Sequence, residues 1–282
     1  MPRKASMLRL LIADGNTRDD RAQHVAATGR TSAESYADVV HAHHPEAQCR
    51  LVSPADADAA LPEGEGLTAY DGVIFTGSTL KVGERIPEMT RQRDLMQAAL
   101  EAGLPVFGSC WGVQLAAVVA GGDAGPNPRG PEYGFARRIT ATAEGRDHPL
   151  LSGRGAAWDA PAIHSDAVIV PPPGARVLAA NALLDVQAIE IPHGNGLFWG
   201  TQYHPELDLD ELAAMLRTCT EAVVEAGLAP DADAVARYAA EIEALHAAAD
   251  RPLAWRHGLG ADILEPRQRR REIGNFLDGL AR

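Results

Sequence analysis

The sequence predicts an α/β fold in which an open, mostly parallel sheet carries helices on both faces. Short apolar segments of strand length alternate with segments of helical pattern, and this alternation is typical of parallel strands joined by helices. Residues 72–76 are apolar at nearly every position, which indicates a strand buried on both faces. At 282 residues, and at about 150 residues per domain, the chain has room for one large domain or two small ones.

The first half of the chain supplies most of these elements. Four strands are predicted, at residues 8–13, 49–53, 72–76 and 105–109. Three helices are predicted, at residues 31–43, 87–102 and 111–120. Thr31 is followed three residues later by Glu34, the spacing of a capping box, and this marks the start of the first helix. Gly103 and Gly121 end the other two, because glycine is common just past a helix C-terminus.

The second half has shorter strands separated by Pro, Gly and Asn. They are predicted at residues 135–143, 167–170, 177–180, 186–191 and 197–203. This rhythm indicates a meander or an antiparallel addition to the main sheet. Helical patterns return near the C-terminus, at residues 209–226, 232–248 and 266–280.

The segment after residue 228 is either a helical cap or a small subdomain. We expect a C-terminal helical extension, residues 229–282, packed on a domain formed by residues 1–228. Trp255 and Phe276 are expected to anchor the extension. The basic run at residues 267–271 is interpreted as a solvated helix face that pairs with acidic surface.

Composition and charge exclude several classes of protein. Lys plus Arg number 26 and Asp plus Glu number 38, so the net charge is −12. Nucleic acid and anionic membranes need positive charge, so neither is expected as the main partner. Three cysteines are too few for a disulfide framework, and no segment approaches the ~20 apolar residues of a membrane span. We therefore expect a cytoplasmic protein with reduced thiols.

The motif most informative about chemistry is GSCWGVQ at residues 108–114, where a buried strand meets an apolar helix. A nucleophile between two glycines at such a junction is typical of an elbow, a tight turn that tolerates only small neighbours. Here the neighbours are Gly108 and Gly112. The turn lifts Cys110 above the sheet at the positive end of the next helix, which favours a thiolate. The alternative is an ordinary buried cysteine.

A cysteine nucleophile needs a base, and the base needs an orienting group. His204 closes the apolar segment at residues 197–203, and reactive groups gather at the carboxyl ends of strands in open α/β sheets. Glu206 lies two residues further on, so both side chains can leave the same face of an extended segment. Glu206 could therefore orient His204 and stabilise its charged form. The alternative is that His204 only caps the next helix.

Cys110 in GSCWGVQ, followed about ninety residues later by His-Pro-Glu, resembles the class I glutamine amidotransferases. The resemblance covers about residues 7–215 in the family's order. It includes YDGVIFTGS at residues 70–78, and, as in the GMP synthetase branch, Glu132-Tyr133-Gly134 and His164-Ser165-Asp166. It implies a flavodoxin-like, three-layer α/β fold with the elbow at its centre. It also implies an enzyme that removes the side-chain amide of glutamine through a Cys–His–Glu triad and a thioester.

Residue by residue, the resemblance makes Cys110 the nucleophile, His204 the general base and acid, and Glu206 the residue that orients it. It places the oxyanion and substrate-binding groups at Gly77, Ser78, Trp111, Gln114, His164, Ser165 and Asp166. The turn after residue 76 reads Gly77-Ser78-Thr79, where the family often has two glycines and a proline.

The acceptor of the ammonia is left open by the sequence. The chain has no G-x-x-x-x-G-K-[ST] phosphate loop, and it predicts no cofactor and no metal. Two functions are therefore compatible with the sequence. One is a stand-alone hydrolase of glutamine or of another γ-glutamyl amide. The other is a glutaminase subunit that delivers ammonia to a separate synthetase. A γ-glutamyl peptide hydrolase is a further alternative. A binding subunit without catalytic activity is another alternative. The presence of all three triad residues, Cys, His and Glu, argues against it.

Overall fold

The computed structural model describes residues 7–248 and 250–281. Its strands are β1 (Arg9–Ala13), β2 (Gln48–Val52), β3 (Gly72–Phe75), β4 (Pro105–Ser109), β5 (Asp123–Pro126), β6 (Glu132–Ala141), β7 (Trp158–His164), β8 (Asp166–Val170), β9 (Arg176–Ala180), β10 (Ala188–His193) and β11 (Gly196–Thr201). Its α-helices are α1 (Arg18–Thr28), α2 (Ser32–His43), α3 (Pro87–Glu101), α4 (Trp111–Val119), α5 (Leu209–Thr218), α6 (Thr220–Glu225), α7 (Ala232–Ala247), α8 (Arg251–His257), α9 (Ala261–Leu264), α10 (Pro266–Arg269) and α11 (Arg271–Leu280).

Within the described ranges, nine strands form one sheet in the order β2-β1-β3-β4-β11-β10-β9-β6-β7. The first five strands in this order are parallel to one another, and the remaining pairings are antiparallel. Strands β5 and β8 form a separate antiparallel pair. The open α/β sheet predicted from the sequence is confirmed, and the meander of the second half is its antiparallel part.

Two apolar cores cover the two faces of the sheet. Successive residues of a strand point to opposite faces, so Ile12 joins one core while its neighbour Leu11 joins the other. Helices α2 and α11 pack on the first face, where Tyr36 and Phe276 lie beside Phe107. Helices α3 and α4 pack on the second face. The prediction of helices on both faces is therefore confirmed.

Several elements differ from the expected ones. Helix α1 was not expected, and it has no buried residue, so no apolar stripe marks it in the sequence. Strands β5 and β7 were not expected either; β7 contains Asp159 and Pro161, which weaken a strand pattern. The helix expected at residues 209–226 is divided at Cys219, and the one expected at residues 266–280 is divided at Arg270.

The C-terminal helices pack on the sheet through Phe276, which is buried, as expected, with its ring 5.5 Å from that of Phe107. The expectation for Trp255 is wrong, because 85% of that residue is exposed. Leu253 and Ala254 fill the buried side of α8, and the next residue therefore points outward.

The basic run at residues 267–271 is not wholly a solvated face. Arg269 is only 2% exposed. Its Nε donates a hydrogen bond to the carbonyl oxygen of Leu207 at 2.9 Å, and its Nη2 to Asp208 Oδ1 at 2.5 Å. The interpretation as a solvated face is wrong for Arg269. Its guanidinium donates to acceptors of the loop after β11, and these hydrogen bonds replace the ones that an exposed guanidinium would make to water.

A third core joins α5 to α7, α8 and α9, with Leu212, Ile242 and Ile263 among its buried residues. It contains side chains from both sides of residue 228, so the division into residues 1–228 and 229–282 stays a prediction. In the part of the chain that the structure describes, no helix is both long enough and apolar enough to cross a membrane.

Candidate active site

The turn between β4 and α4 holds Cys110 in an unusual backbone conformation. Its φ is +50° and its ψ is −107°, a conformation that costs a non-glycine residue about 1–3 kcal/mol. The Cys110 N–H donates to the carbonyl oxygen of Thr201 at 2.8 Å. Helix α4 begins at the next residue, so Cys110 stands at the positive end of that helix. This is the geometry that the elbow motif predicts.

The two glycines of the elbow are required by close backbone packing. A Cβ at position 112 would lie 2.8 Å from the carbonyl oxygen of Phe75. A Cβ at position 108 would lie 3.1 Å from the ring of Phe198 and 3.2 Å from the carbonyl carbon of Gly112. Larger residues at either position would therefore push α4 and its neighbours apart.

His204 reaches the elbow because β11 lies beside β4 and parallel to it. Thr201, the last residue of β11, is opposite Ser109, the last residue of β4. The loops that follow the two strands therefore leave the same edge of the sheet. His204 Nδ1 lies 2.6 Å from Glu206 Oε1, and both residues are buried. Within the described ranges, His204 Nε2 has no hydrogen-bond partner.

The electrostatics of this loop favour a charged imidazole. Burial alone would lower the pKa of His204, but the negative charge of Glu206 and the interaction with Cys110 raise it well above its ordinary value. An opposite charge within hydrogen-bond distance stabilises the protonated form. The arrangement can therefore hold an imidazolium between a thiolate and a carboxylate.

A buried chain of hydroxyl groups, which the sequence did not reveal, continues from Glu206. Ser109 Oγ donates to Glu206 Oε1 at 3.0 Å, and Tyr36 Oη donates to Ser109 Oγ at 2.7 Å. Tyr36 lies on α2 and is fully buried. Burial and the charge of Glu206 raise the pKa of Tyr36 well above its usual range, so its hydroxyl remains a donor. The only signal in the sequence was the position of Ser109 beside the nucleophile.

The predicted oxyanion groups lie around the elbow. As the first residue of α4, Trp111 has an N–H without an intrahelical partner. Among the described residues, no hydrogen bond uses the N–H of Gly77 or Ser78. The Ser78 side chain donates to the carbonyl oxygen of Gly15 at 2.8 Å, which fixes the turn. A Cβ at position 77 would lie 3.0 Å from His204 Cε1, so glycine allows the turn to approach the imidazole.

The predicted substrate-binding residues lie together in one wall of the site. Gln114 Nε2 donates to the carbonyl oxygen of Asp166 at 2.9 Å. His164 Nδ1 lies 3.1 Å from the same oxygen. Lys81, which no motif indicated, extends over this wall and contacts Asp166 Oδ1 at 2.9 Å and Ser165 Oγ at 3.2 Å.

Glu132 has a supporting role behind this wall. His164 Nε2 lies 3.0 Å from Glu132 Oε2, and the side-chain amides of Gln187 and Asn181 donate to the same carboxylate at 2.6 and 2.7 Å. Burial would raise the pKa of Glu132, but the contacts with His164 and the two amides lower it. The carboxylate therefore stays charged and fixes the His164 ring.

All ten residues predicted for the site line one cavity of about 300 Å³. The cavity extends beyond them, between α1 and α5, along side chains that the motifs did not indicate. Across residues 7–248 and 250–281, no three His, Cys, Asp or Glu side chains are grouped as a metal ion would require.

The chain is similar in sequence to known proteins. The model of the family "Glutamine amidotransferase class-I" matches residues 35–222. A gamma-glutamyl-L-1-hydroxyisopropylamide hydrolase of a Pseudomonas species is 36% identical over 281 residues, covering 97% of this chain and 93% of that protein. A glutamine-hydrolysing GMP synthase subunit of Ignicoccus hospitalis is 30% identical over 155 residues, covering 55% of this chain and 76% of that protein.

Solved structures support the fold. A glutamine amidotransferase from Thermotoga maritima has a TM-score of 0.66 at 15% identity, covering 97% of this chain and 98% of that one. A glutamine amidotransferase from Methylobacillus flagellatus has a TM-score of 0.64 at 18% identity, covering 97% and 96%. The family model and the Pseudomonas relative show that the chain belongs to the class I glutamine amidotransferase family.

Proposed function

We propose that this enzyme hydrolyses a γ-glutamyl amide of a small amine through a covalent thioester on Cys110. Cys110 Sγ attacks the γ-carbonyl carbon, and the oxygen that becomes negative is held by the N–H of Trp111 and by the turn at Gly77 and Ser78. His204, oriented by Glu206, gives its proton to the nitrogen as the C–N bond breaks.

The second half of the reaction reverses the proton transfer. Once the amine has left, neutral His204 takes a proton from a water molecule, and the resulting hydroxide attacks the thioester carbon. The C–S bond breaks, glutamate is released, and the Cys110 thiolate and the His204 imidazolium are restored. No cofactor is needed, because one acyl group is transferred twice and no electrons are exchanged.

The observation that carries the proposal is the cavity itself. It brings together Cys110 at the strained elbow and His204, whose Nε2 has no partner among the described residues and whose Nδ1 contacts Glu206 at 2.6 Å. A base already oriented on one side and free on the other fits the general acid–base step. The Pseudomonas relative, similar along 97% of the chain, supports a γ-glutamyl amide as the substrate class.

The test is glutamate release by the purified full chain from a panel of substrates. The panel contains glutamine, γ-glutamyl dipeptides and γ-glutamyl-L-1-hydroxyisopropylamide. We expect partner-free hydrolysis of at least one γ-glutamyl amide, loss of that activity in Cys110→Ala, and full activity in the matched control Cys49→Ala. Activity that survives in Cys110→Ala would contradict the thioester mechanism.

A second candidate function is that of a glutaminase component that supplies ammonia to a synthetase. It is favoured by the similarity to the glutamine-hydrolysing GMP synthase subunit of Ignicoccus hospitalis. In that case the isolated chain would be inactive on the whole panel, and glutamine hydrolysis would begin only when an ATP-dependent synthetase of the same organism is added.

A further inference from the structure

The part of the cavity between α1 and α5 has no role in the chemistry described above. It continues from the loop at Glu206 and Leu207 to Glu211 on α5 and His24 on α1. Helix α1 contacts α5 here. This arm joins the reaction centre at the loop that carries His204.

The chemistry indicates where the two parts of the substrate, the leaving amine and the glutamyl group, lie in the cavity. A general acid must stand beside the nitrogen that it protonates, so the leaving amine lies on the side of His204. The resemblance to the family assigns the glutamyl part to the wall formed by Gln114, His164 and Asp166. A substituent on the amide nitrogen therefore extends from the loop of His204, which the arm between α1 and α5 adjoins.

Two polar side chains, one buried and one half-buried, meet in this arm with unused hydrogen-bonding capacity. The Glu211 side chain is 4% exposed, and its Oε1 accepts a hydrogen bond from Ser35 Oγ at 2.8 Å. Within the described ranges, Glu211 Oε2 takes part in no hydrogen bond. His24 Nε2 lies 3.4 Å from Glu211 Oε1 but is buried without a hydrogen-bond partner. A buried polar atom without a partner, such as His24 Nε2, is unfavourable unless a ligand supplies one.

We propose, on the basis of the function proposed above, that His24 and Glu211 form a subsite for a hydroxyl group on the leaving amine. A hydroxyl is both donor and acceptor, so it can donate to Glu211 Oε2 while it accepts from His24. The substrate class is therefore the γ-glutamyl amide of a short amino alcohol. A site built around a substrate hydroxyl rejects an analogue that lacks it, because the buried groups are then left unpaired.

The experiment compares three amides that differ at one group: γ-glutamyl ethanolamide, γ-glutamyl propylamide and the γ-glutamyl monoamide of 1,2-diaminoethane. For the unmodified chain we expect kcat/KM to be at least about tenfold higher for the ethanolamide than for the propylamide. Glu211→Gln, which replaces the acceptor Oε2 by a donor, should reduce this ratio to near one. His24→Ala, on a helix with no buried residue, should reduce it at least about threefold.

The matched control is Glu221→Gln, an exposed carboxylate on the neighbouring helix α6, which should keep the ratio. If Glu211 only holds α1 and α2 against α5, Glu211→Gln will lower kcat/KM for all three amides equally, and the subsite is refuted. Preference for the diamine amide would refute the hydroxyl assignment. Equal hydrolysis of all three amides by the unmodified chain would refute the subsite and leave the proposed function standing, whereas inactivity on every γ-glutamyl amide would refute that function.

Discussion

Replacing Glu206 by Gln tests whether the carboxylate acts through the charge of His204. The change keeps the size of the side chain but turns the 2.6 Å contact with His204 Nδ1 from a charged into a neutral hydrogen bond. A hydrogen bond to a charged group contributes about 1.5–3 kcal/mol. At about 1.4 kcal/mol per factor of ten, kcat/KM should therefore fall by about 10- to 150-fold.

The pH profile gives a second readout. The carboxylate favours the imidazolium, so its removal lowers the raised pKa of His204. The imidazolium is needed to protonate the leaving amine, and it is lost as pH rises through that pKa. The alkaline limb of the kcat/KM profile should consequently move to lower pH in Glu206→Gln.

The matched control is Glu190→Gln. Glu190 Oε2 lies 2.9 Å from Nε2 of buried His148, so it forms another histidine–carboxylate contact, and neither residue lines the cavity. Amide hydrolysis is followed by glutamate release across the neutral and alkaline pH range, with melting temperature as the check on folding. The reasoning is refuted if Glu206→Gln keeps the unmodified rate and profile, or if Glu190→Gln loses as much activity.

Three further outcomes are expected. A glutamine-mimicking electrophile should label Cys110 and, by mass spectrometry, leave Cys49 unmodified, because burial raises the pKa of the Cys49 thiol to about 11. Gly112→Ala should lower the free energy of unfolding in urea by about 1–3 kcal/mol, since the added Cβ meets the backbone of β3; an unchanged midpoint would contradict this. Glu272→Ala should cost about 3–5 kcal/mol, because Arg154 is left buried and unpaired, and a loss below about 1 kcal/mol would show that water reaches the pair.

Much of the fold was predictable because it depends on local patterns. The capping box at Thr31 and Glu34 forms as predicted, and β4 has the predicted bounds. The family, the fold class and a cysteine-dependent hydrolase were also predictable, since GSCWGVQ and His-Pro-Glu are continuous motifs. Helix α1 was missed because amphipathic periodicity reports burial, and this helix lies on the surface of the protein.

The rest of the candidate site depends on contacts between distant segments. Tyr36 and Ser109 are 73 residues apart, and Ser35 and Glu211 are 176 apart. No spacing rule connects such pairs, because only the packing of α2 against β4 and α5 brings them together. The prediction for Trp255 was wrong for the opposite reason: its hydrophobicity indicated burial, but the side of α8 that it occupies is exposed.

The contacts of the last helices have a consequence for when the protein becomes active during synthesis. Tyr203 Oη, one residue before His204, donates to Glu272 Oε1 at 2.8 Å, and Arg269 holds the carbonyl oxygen of Leu207 on the other side of the loop. Both partners are translated more than sixty residues after the loop that they hold. A nascent chain can form the sheet and the elbow first, since N-terminal segments emerge first. Full ordering of the loop around His204 must wait until the last helices leave the ribosome.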